Sequence, residues 1–167
     1  PLHKRIEKRY EGIYLKTKVT GIEATKQGLK VTFEGENPPQ PQLYDRVLLS
    51  VGRRPNGKAI NAAAAGVMVN ERGYIPVDRQ MRTNVPHIYA IGDCTAKLML
   101  AHLAEAQGIV AAETIAGAET MPIDYDMCPR ATYCQPQIGS FGYSEEQAKE
   151  KGYDVKLSLI HISEPTR

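Results

Sequence analysis

The sequence contains no tryptophan, only two phenylalanines and only three cysteines among its 167 residues. So few large aromatic rings argue against a platform on which the bases of a single-stranded nucleic acid stack. The three cysteines are an odd number and lie far apart, which argues against a secreted disulfide framework. We therefore expect a protein of a reducing compartment and predict a cytoplasmic location.

Long apolar runs and a strong net charge are also missing. The longest apolar run, Ala62 to Val69, falls well short of the roughly 18 residues that a membrane span needs, so no membrane association is expected. The net charge of +2 is too small to indicate a nucleic-acid partner. What remains is an ordinary globular composition, with 42% apolar and 24% charged residues.

Periodicity and turn residues predict strands on either side of one long, mostly apolar helix that we expect to be buried. In chain order the pattern predicts an amphipathic helix from Leu2 to Tyr10, strands at about Tyr14–Ala24 and Leu29–Phe33, a loop at 35–42, a strand at Val47–Val51, a short helix at Ala59–Ala65, strands at Tyr74–Val77 and Ile88–Ile91, the long helix at about Met99–Ala116, strand-like sequence at 122–142 and a helix at Ser144–Lys151. Ser144 is expected to cap its helix, and Gly117 to end the long one. The runs Val47–Val51 and Ile88–Ile91 are continuously apolar, which is typical of strands buried on both faces of a parallel sheet.

Each of these two apolar strands ends in a glycine, where a ligand can approach the backbone. Gly92 is followed by Asp93, whose carboxylate could bind the hydroxyls of a sugar or polyol. The helix beyond it presents free N–H groups that suit the negative charge of a reduced flavin. Gly52 is followed by two arginines that could meet phosphates or simply cover a surface. Taken singly, each motif is also typical of an ordinary turn.

Together, the motifs are more specific. The segments Val51–Asn56 (Val-Gly-Arg-Arg-Pro-Asn) and Thr83–Asp93 (Thr-Asn-Val-Pro-His-Ile-Tyr-Ala-Ile-Gly-Asp), with the spacing between them, resemble the pyridine nucleotide–disulfide oxidoreductase family. Met99–His102 (Met-Leu-Ala-His) and its alanine-rich helix resemble the branch that reoxidises dihydrolipoyl groups more than the glutathione or mercuric reductase branches. Pro129–Gly142 resembles the start of the family's dimerisation domain.

The resemblance implies a set of cofactor-binding positions. Asp93 matches the carboxylate that holds the ribityl chain of the flavin, and the helix start that lies against the flavin is matched by Met99, Leu100, Ala101 and His102. His102 is expected to contribute mainly its backbone, and it is not predicted to be a base. Gly52 matches the glycine beside bound NAD. Val19 matches a position at the adenine end of NAD, where a simple core valine is an equally good interpretation.

The fold class implied by the resemblance is α/β: a fragment of a flavoprotein with two dinucleotide-binding domains, for FAD and NAD, plus the start of an α+β dimerisation domain. We predict the second half of the NAD-binding domain at residues 1–55, the central FAD-binding segment at 56–120 and the start of the dimerisation domain at 121–156. Residues 157–167 resemble the conceptual translation of a sequencing adaptor, so His161 is given no role.

The resemblance also implies FAD and NAD as cofactors, homodimerisation, and dihydrolipoyl groups of an acyltransferase or of the glycine cleavage carrier protein as partners. Two alternatives stay open: another flavin disulfide reductase of the mercuric reductase type, and a non-catalytic piece with partial nucleotide-binding surfaces. The sequence has no Gly-x-Gly-x-x-Gly unit, no redox-active Cys-x4-Cys and no acid–base His–Glu pair of the family type. Cys128 and Cys134 have five residues between them, and we expect no catalytic role for them. Gln107 departs from the family, which often has an acidic residue there.

Overall fold

The computed structural model describes residues 2–158, which form two compact units. The first unit holds the residues up to Arg53 together with Cys134–Pro136, and the second holds Arg54–Tyr133 and the residues from Gln137 onward. Residues 159–167 of the segment that resembles an adaptor translation, His161 included, lie outside the described residues. None of the helices within residues 2–158 is long and apolar enough to cross a membrane.

The first unit is built around an antiparallel three-stranded sheet. A short helix α1 at Leu2–Ile6 precedes strands β1 at Thr17–Thr25, β2 at Gly28–Gly35 and β3 at Gln42–Tyr44, which pair in the order β1-β2-β3. Apolar residues alternate along β2, and the central one, Val31, is buried. The predictions of β1, β2 and the proline-rich loop before β3 are confirmed, whereas the first helix is shorter than predicted.

A two-residue loop, Lys26-Gln27, joins β1 to β2 and fixes their register. Gly28 has φ +134°, and the Thr25 hydroxyl donates to the Gly28 carbonyl oxygen at 2.8 Å and accepts from the Gln27 N–H at 3.2 Å. Thr25 therefore lies opposite Gly28, and Ile22 lies opposite Val31. A local turn thus positions the long strand that carries Val19.

The prediction of a buried strand at Val47–Val51 is wrong. No strand forms there, and Leu48, Leu49 and Val51 are 91%, 76% and 85% exposed. A strand that is buried on both faces needs a neighbour on each side and a layer above and below. Within residues 2–158 no other segment pairs with this run, so its apolar side chains stay in solvent.

The second unit contains one long helix and several short elements. In chain order these are a 3-10 helix at Ala62–Ala65, a 3-10 helix at Gly92–Thr95, helix α2 at Ala101–Ile115, strands β4 at Arg130–Thr132 and β5 at Ile138–Ser140, and helix α3 at Glu145–Glu150. Strands β4 and β5 form an antiparallel pair. The strand-like sequence predicted over 122–142 is therefore reduced to two short strands.

Two small apolar clusters form the core of the second unit. Val67, Ile75 and Ala90 form one cluster, and Met81, Val110 and Ala111 form the other, with Val77 packed against both. Ala90 joins them through a backbone hydrogen bond, since its N–H donates to the Met81 carbonyl oxygen at 3.1 Å. These clusters place the end of the Ile88–Ile91 segment next to α2.

Two strands predicted for this unit are not regular strands in the structure. Ile88–Ile91 makes an isolated antiparallel bridge, in which Tyr89 lies opposite Arg82, so the prediction of a parallel strand is wrong for the described residues. Tyr74–Val77 has no strand, although its Ile75 N–H donates to the Cys94 carbonyl oxygen at 2.8 Å. In each segment a backbone N–H donates to one carbonyl oxygen of another segment, Ile75 to Cys94 and Ala90 to Met81, and neither segment has a parallel partner among residues 2–158.

Helix α2 forms where the alanine-rich pattern predicts it, but only one of its faces is buried. This face consists of Leu103, of Gln107 four residues later, and of Val110 and Ala111, which lie three and four residues after Gln107. Ile109 and Ile115 are more than half exposed, so the prediction of a helix buried on most faces is wrong. Alanine favours helix formation without requiring burial, and composition alone overstated the buried surface.

The predicted helix ends are confirmed. After α2, Gly117 adopts φ +77° and its N–H donates to the Thr114 carbonyl oxygen at 3.1 Å. Before α3, the Ser144 hydroxyl accepts from the Gln147 N–H at 3.2 Å, and the Gln147 side chain accepts from the Ser144 N–H at 3.0 Å. This reciprocal pair is a capping box.

Candidate functional site

The turn that carries Asp93 is held by its own short hydrogen bonds. Ile91 is extended and Gly92 adopts φ +75°, a left-handed conformation that favours glycine. The buried Thr95 hydroxyl then donates to the Gly92 carbonyl oxygen at 2.8 Å, and the Cys94 thiol donates to the Ile91 carbonyl oxygen at 3.2 Å. The carboxylate of Asp93 is exposed and makes no hydrogen bond or ion pair with another described residue, so it is available to a ligand.

Helix α2 packs directly on this turn. A Cβ added to Gly92 would lie 3.3 Å from the Ala104 Cβ, and one added to Gly108 would lie 3.4 Å from the Ile91 Cδ1. Larger side chains at the two glycines would separate the helix from the turn. The two glycines therefore allow the contact that brings Asp93 and the start of α2 into one site.

A buried glutamine joins the turn, the helix and a later segment. Gln107 is 0% exposed; its Oε1 accepts from the Gly92 N–H at 2.6 Å, and its Nε2 donates to the Tyr125 hydroxyl at 3.1 Å. From the sequence, Gln107 was noted only as a departure from the family. A usable signal was its place on the buried face of α2, four residues after Leu103 and three before Val110.

The start of α2 has no side-chain cap. Leu100 is the extended N-cap residue, with φ −131°, and no side chain accepts a hydrogen bond from the first helical N–H groups. Met99, Ala101 and His102 are exposed beside it. Uncapped amide groups and the helix dipole together favour a negatively charged or hydrogen-bond-accepting ligand group.

The side chain of His102 is already engaged. Its Nε2 lies 2.8 Å from the Pro129 carbonyl oxygen and 3.8 Å from the Cys128 Sγ. Because a carbonyl oxygen can only accept, Nε2 carries the hydrogen and donates it. His102 thus anchors α2 to the segment before β4.

Cys94 is an unreactive neighbour of the site. Burial raises the pKa of the Cys94 thiol above its usual range, and the negative charge of Asp93 raises that pKa further. The thiol therefore remains protonated at neutral pH and fills space beside the turn. Among the described residues, Cys94, Cys128 and Cys134 form no disulfide with one another.

Val19 and Gly52 belong to the first unit and are described separately. Val19 lies on the wall of an open cavity of about 710 Å³, which is also lined by Ile22 and by the exposed run Val47–Val51. Gly52 follows this run with φ +115°, and no atom lies within 4 Å of the position that a Cβ would occupy. A ligand can thus approach the backbone at Gly52. The cavity wall that contains Val19 is largely apolar.

The chain matches family descriptions over most of its length. The profile described as pyridine nucleotide-disulphide oxidoreductase matches residues 2–108, and the profile described as the dimerisation domain of the same family matches residues 128–167. The order of the two matches agrees with the order of the predicted segments.

Curated relatives and a solved structure give the same picture. The chain is 58% identical over 127 residues to a dihydrolipoyl dehydrogenase of Corynebacterium glutamicum, covering 75% of this chain and 27% of that protein. It is 44% identical over 155 residues to a dihydrolipoyl dehydrogenase of Haemophilus influenzae, covering 93% of this chain and 32% of that protein. The crystal structure of LpdA from Mycobacterium tuberculosis superposes with a TM-score of 0.78 at 25% identity, covering 90% of this chain and 32% of that one. The chain thus spans about a third of the length of these relatives, and the predicted α/β fold class is confirmed.

Proposed function

Because the chain belongs to the pyridine nucleotide-disulphide oxidoreductase family, we propose that it forms part of an FAD- and NAD-dependent enzyme that reoxidises dihydrolipoyl groups. The observation that carries the proposal is the exposed carboxylate of Asp93, which has no protein partner among residues 2–158 and stands on a turn that contacts the uncapped start of α2. When bound, the flavin supplies the means of passing an electron pair from a dithiol to NAD.

The residues of the second unit fit the flavin by their chemistry. The Asp93 carboxylate would accept hydrogen bonds from the ribityl hydroxyls, as in other charge-assisted recognition of sugars and polyols. The amide groups of Met99, Ala101 and His102 would stabilise negative charge on the ring system, whereas the Leu100 N–H already donates to the Leu98 carbonyl oxygen at 3.0 Å. His102 would contribute its backbone, since its Nε2 is committed to Pro129.

The residues of the first unit would serve NAD. Gly52 has open space where a side chain would stand, so the nucleotide can approach the backbone there. Val19 is more than half exposed beside an apolar cavity, which suits contact with a flat adenine ring. In this proposal the two nucleotides use residues of different units.

The proposed domain assignment follows the predicted boundaries. The second half of the NAD-binding domain would comprise residues 1–55, the central FAD-binding segment 56–120 and the start of the dimerisation domain 121–156. The division between the two units, after Arg53, falls near the first boundary, and the match to the dimerisation domain from residue 128 supports the last. A homodimer follows for the whole enzyme.

The finer parts of the proposal concern partners and location. Dihydrolipoyl groups carried by an acyltransferase or by the glycine cleavage carrier protein would be the substrates, in keeping with the names of the relatives. A cytoplasmic location is supported by the absence of a disulfide among the three described cysteines, which suits a reducing compartment.

A chimera tests the proposal. The segment would replace its counterpart in the C. glutamicum relative, and the product would be assayed for bound FAD and for dihydrolipoamide oxidation with NAD. We expect a yellow, active enzyme in which Asp93→Ala weakens FAD binding at least tenfold, because a hydrogen bond to a charged group contributes about 1.5–3 kcal/mol. The control Glu105→Ala removes another exposed carboxylate, on α2, and should leave FAD binding unchanged. A chimera without flavin, or equal effects of the two substitutions, would refute the proposal.

A further inference from the structure

The buried side-chain amide of Gln107 makes two hydrogen bonds, to Gly92 and to Tyr125, which filling space in a core would not need. We propose that Gln107 is a positioning residue, which fixes the Gly92–Asp93 turn against α2 and thereby aims the Asp93 carboxylate. The consequence for the cofactor rests on the function proposed above. The positioning itself concerns only residues that the chain contains.

Both ends of the amide have partners inside the protein. The Gly92 N–H donates to Oε1 at 2.6 Å, and Nε2 donates to the Tyr125 hydroxyl at 3.1 Å. Gln107 itself is fully buried, so water cannot replace a lost partner. The turn can therefore move away from α2 only by leaving a buried polar group without a hydrogen bond, which is strongly unfavourable.

The hydrogen bond acts at the residue that precedes Asp93. Gly92 has no side chain, and its φ of +75° is one of many conformations that glycine adopts readily. A glycine peptide therefore needs constraints to hold one orientation. The Thr95 hydroxyl constrains the Gly92 carbonyl oxygen within the turn, and the bond to Gln107 fixes the Gly92 N–H against α2. Because Asp93 follows directly, the same bond restricts where its carboxylate points.

Tyr125 completes the arrangement from the other side. Its hydroxyl accepts from Nε2, and this direction follows from the other end of the amide, because the Gly92 N–H can only donate and must face Oε1. The ring of Tyr125 is in turn covered by Lys97, whose Nζ lies 5.1 Å from the ring centroid. Lys97 belongs to the loop that leads from the turn to α2. Tyr125 therefore contacts this loop directly and is connected to the turn through Gln107.

Glutamate at this position would keep one bond and reverse the other. A carboxylate accepts from the Gly92 N–H as the amide does, but it cannot donate, so the Tyr125 hydroxyl must donate instead. Gln107→Glu is therefore the conservative variant that preserves positioning, whereas Gln107→Leu has a similar size and removes both bonds. Tyr125→Phe removes only the bond to Nε2.

Amide hydrogen exchange of the whole, isotope-labelled chain tests the positioning. We expect Gln107→Leu to speed exchange at the Gly92 N–H at least tenfold and to shift its proton resonance upfield. Gln107→Glu should restore both values, and Tyr125→Phe should leave the Gly92 N–H protected. The matched control is Val110→Ala, which truncates a buried residue of the same helix face without touching the turn. Val110→Ala should lower the thermal stability as much as Gln107→Leu does, while its Gly92 N–H should stay protected from exchange.

The chimera described above tests the consequence for FAD. Gln107→Leu should speed FAD release at least tenfold, and Gln107→Glu should return the rate to that of the unsubstituted chimera. The inference is overturned if Gln107→Leu leaves Gly92 exchange unchanged, or if Val110→Ala produces the same exchange and the same FAD release. A chimera that holds no FAD even with Gln107 in place refutes the proposed function, while Gly92 exchange in the chain still decides the positioning.

Discussion

The substitution Gly92→Ala measures two costs at the candidate site, the backbone strain of a left-handed alanine and the crowding of its Cβ against α2. Gly92 has φ +75°, and a Cβ there would lie 3.3 Å from the Ala104 Cβ. The left-handed conformation costs an alanine about 1–2 kcal/mol. The crowding against Ala104 adds roughly 1–3 kcal/mol, because neither the turn nor the helix can shift without losing contacts. We therefore expect Gly92→Ala to lower the free energy of unfolding by about 2–5 kcal/mol.

A second glycine supplies the control. Gly117 has nearly the same φ, +77°, but nothing lies within 4 Å of its added Cβ, so Gly117→Ala should cost only the strain of about 1–2 kcal/mol. The pair Gly92→Ala and Ala104→Gly should together cost less than the sum of the two single changes, since the second relieves the crowding. Urea unfolding followed by circular dichroism measures all four variants. Equal losses at positions 92 and 117, with strictly additive effects in the double variant, would refute the reasoning.

Other predictions follow from the same geometry. Leu48→Ser combined with Leu49→Ser should leave the unfolding midpoint unchanged, because both side chains are exposed, and should reduce self-association in sedimentation velocity. Ser144→Ala should cost about 1 kcal/mol in urea unfolding by removing the cap of α3. Alkylation of Cys94 at pH 8 should be slow because its pKa is raised, and Asp93→Asn should speed it by removing a negative charge that disfavours the thiolate, as timed by mass spectrometry. The chain by itself should not retain stoichiometric FAD in an absorbance spectrum after gel filtration, because its sequence has no Gly-x-Gly-x-x-Gly unit for the diphosphate.

The features that the sequence predicted well are local. The end of α2 at Gly117 and the cap at Ser144 are each determined by the conformational preference of one residue and by hydrogen bonds to close neighbours. Such interactions are present whatever surrounds the segment. The extents of β1, β2 and α2 were therefore close to those observed.

The features that the sequence predicted poorly depend on distant partners. Val47–Val51 and Ile88–Ile91 have the composition of buried parallel strands, but a strand exists only where another strand accepts its hydrogen bonds. Among residues 2–158 the first run finds no partner, and the second finds only the segment around Arg82, in an antiparallel bridge. An apolar run indicates a preference for burial and does not itself supply the neighbours.

The candidate site depends on local and on distant interactions, which explains why the sequence predicts Asp93 as a candidate ligand-binding residue and assigns no role to Gln107. Asp93 follows a glycine at the end of an apolar segment, and that order of residues already indicates an exposed carboxylate on a turn. The role of Gln107 depends on Gly92, 15 residues away, and on Tyr125, 18 residues away, so no short motif contains it. In a sequence, such a contact is indicated by a polar residue on the apolar face of a predicted helix. Because a buried amide must find partners, each such residue predicts a bridge between segments even where the sequence does not identify which segments are joined.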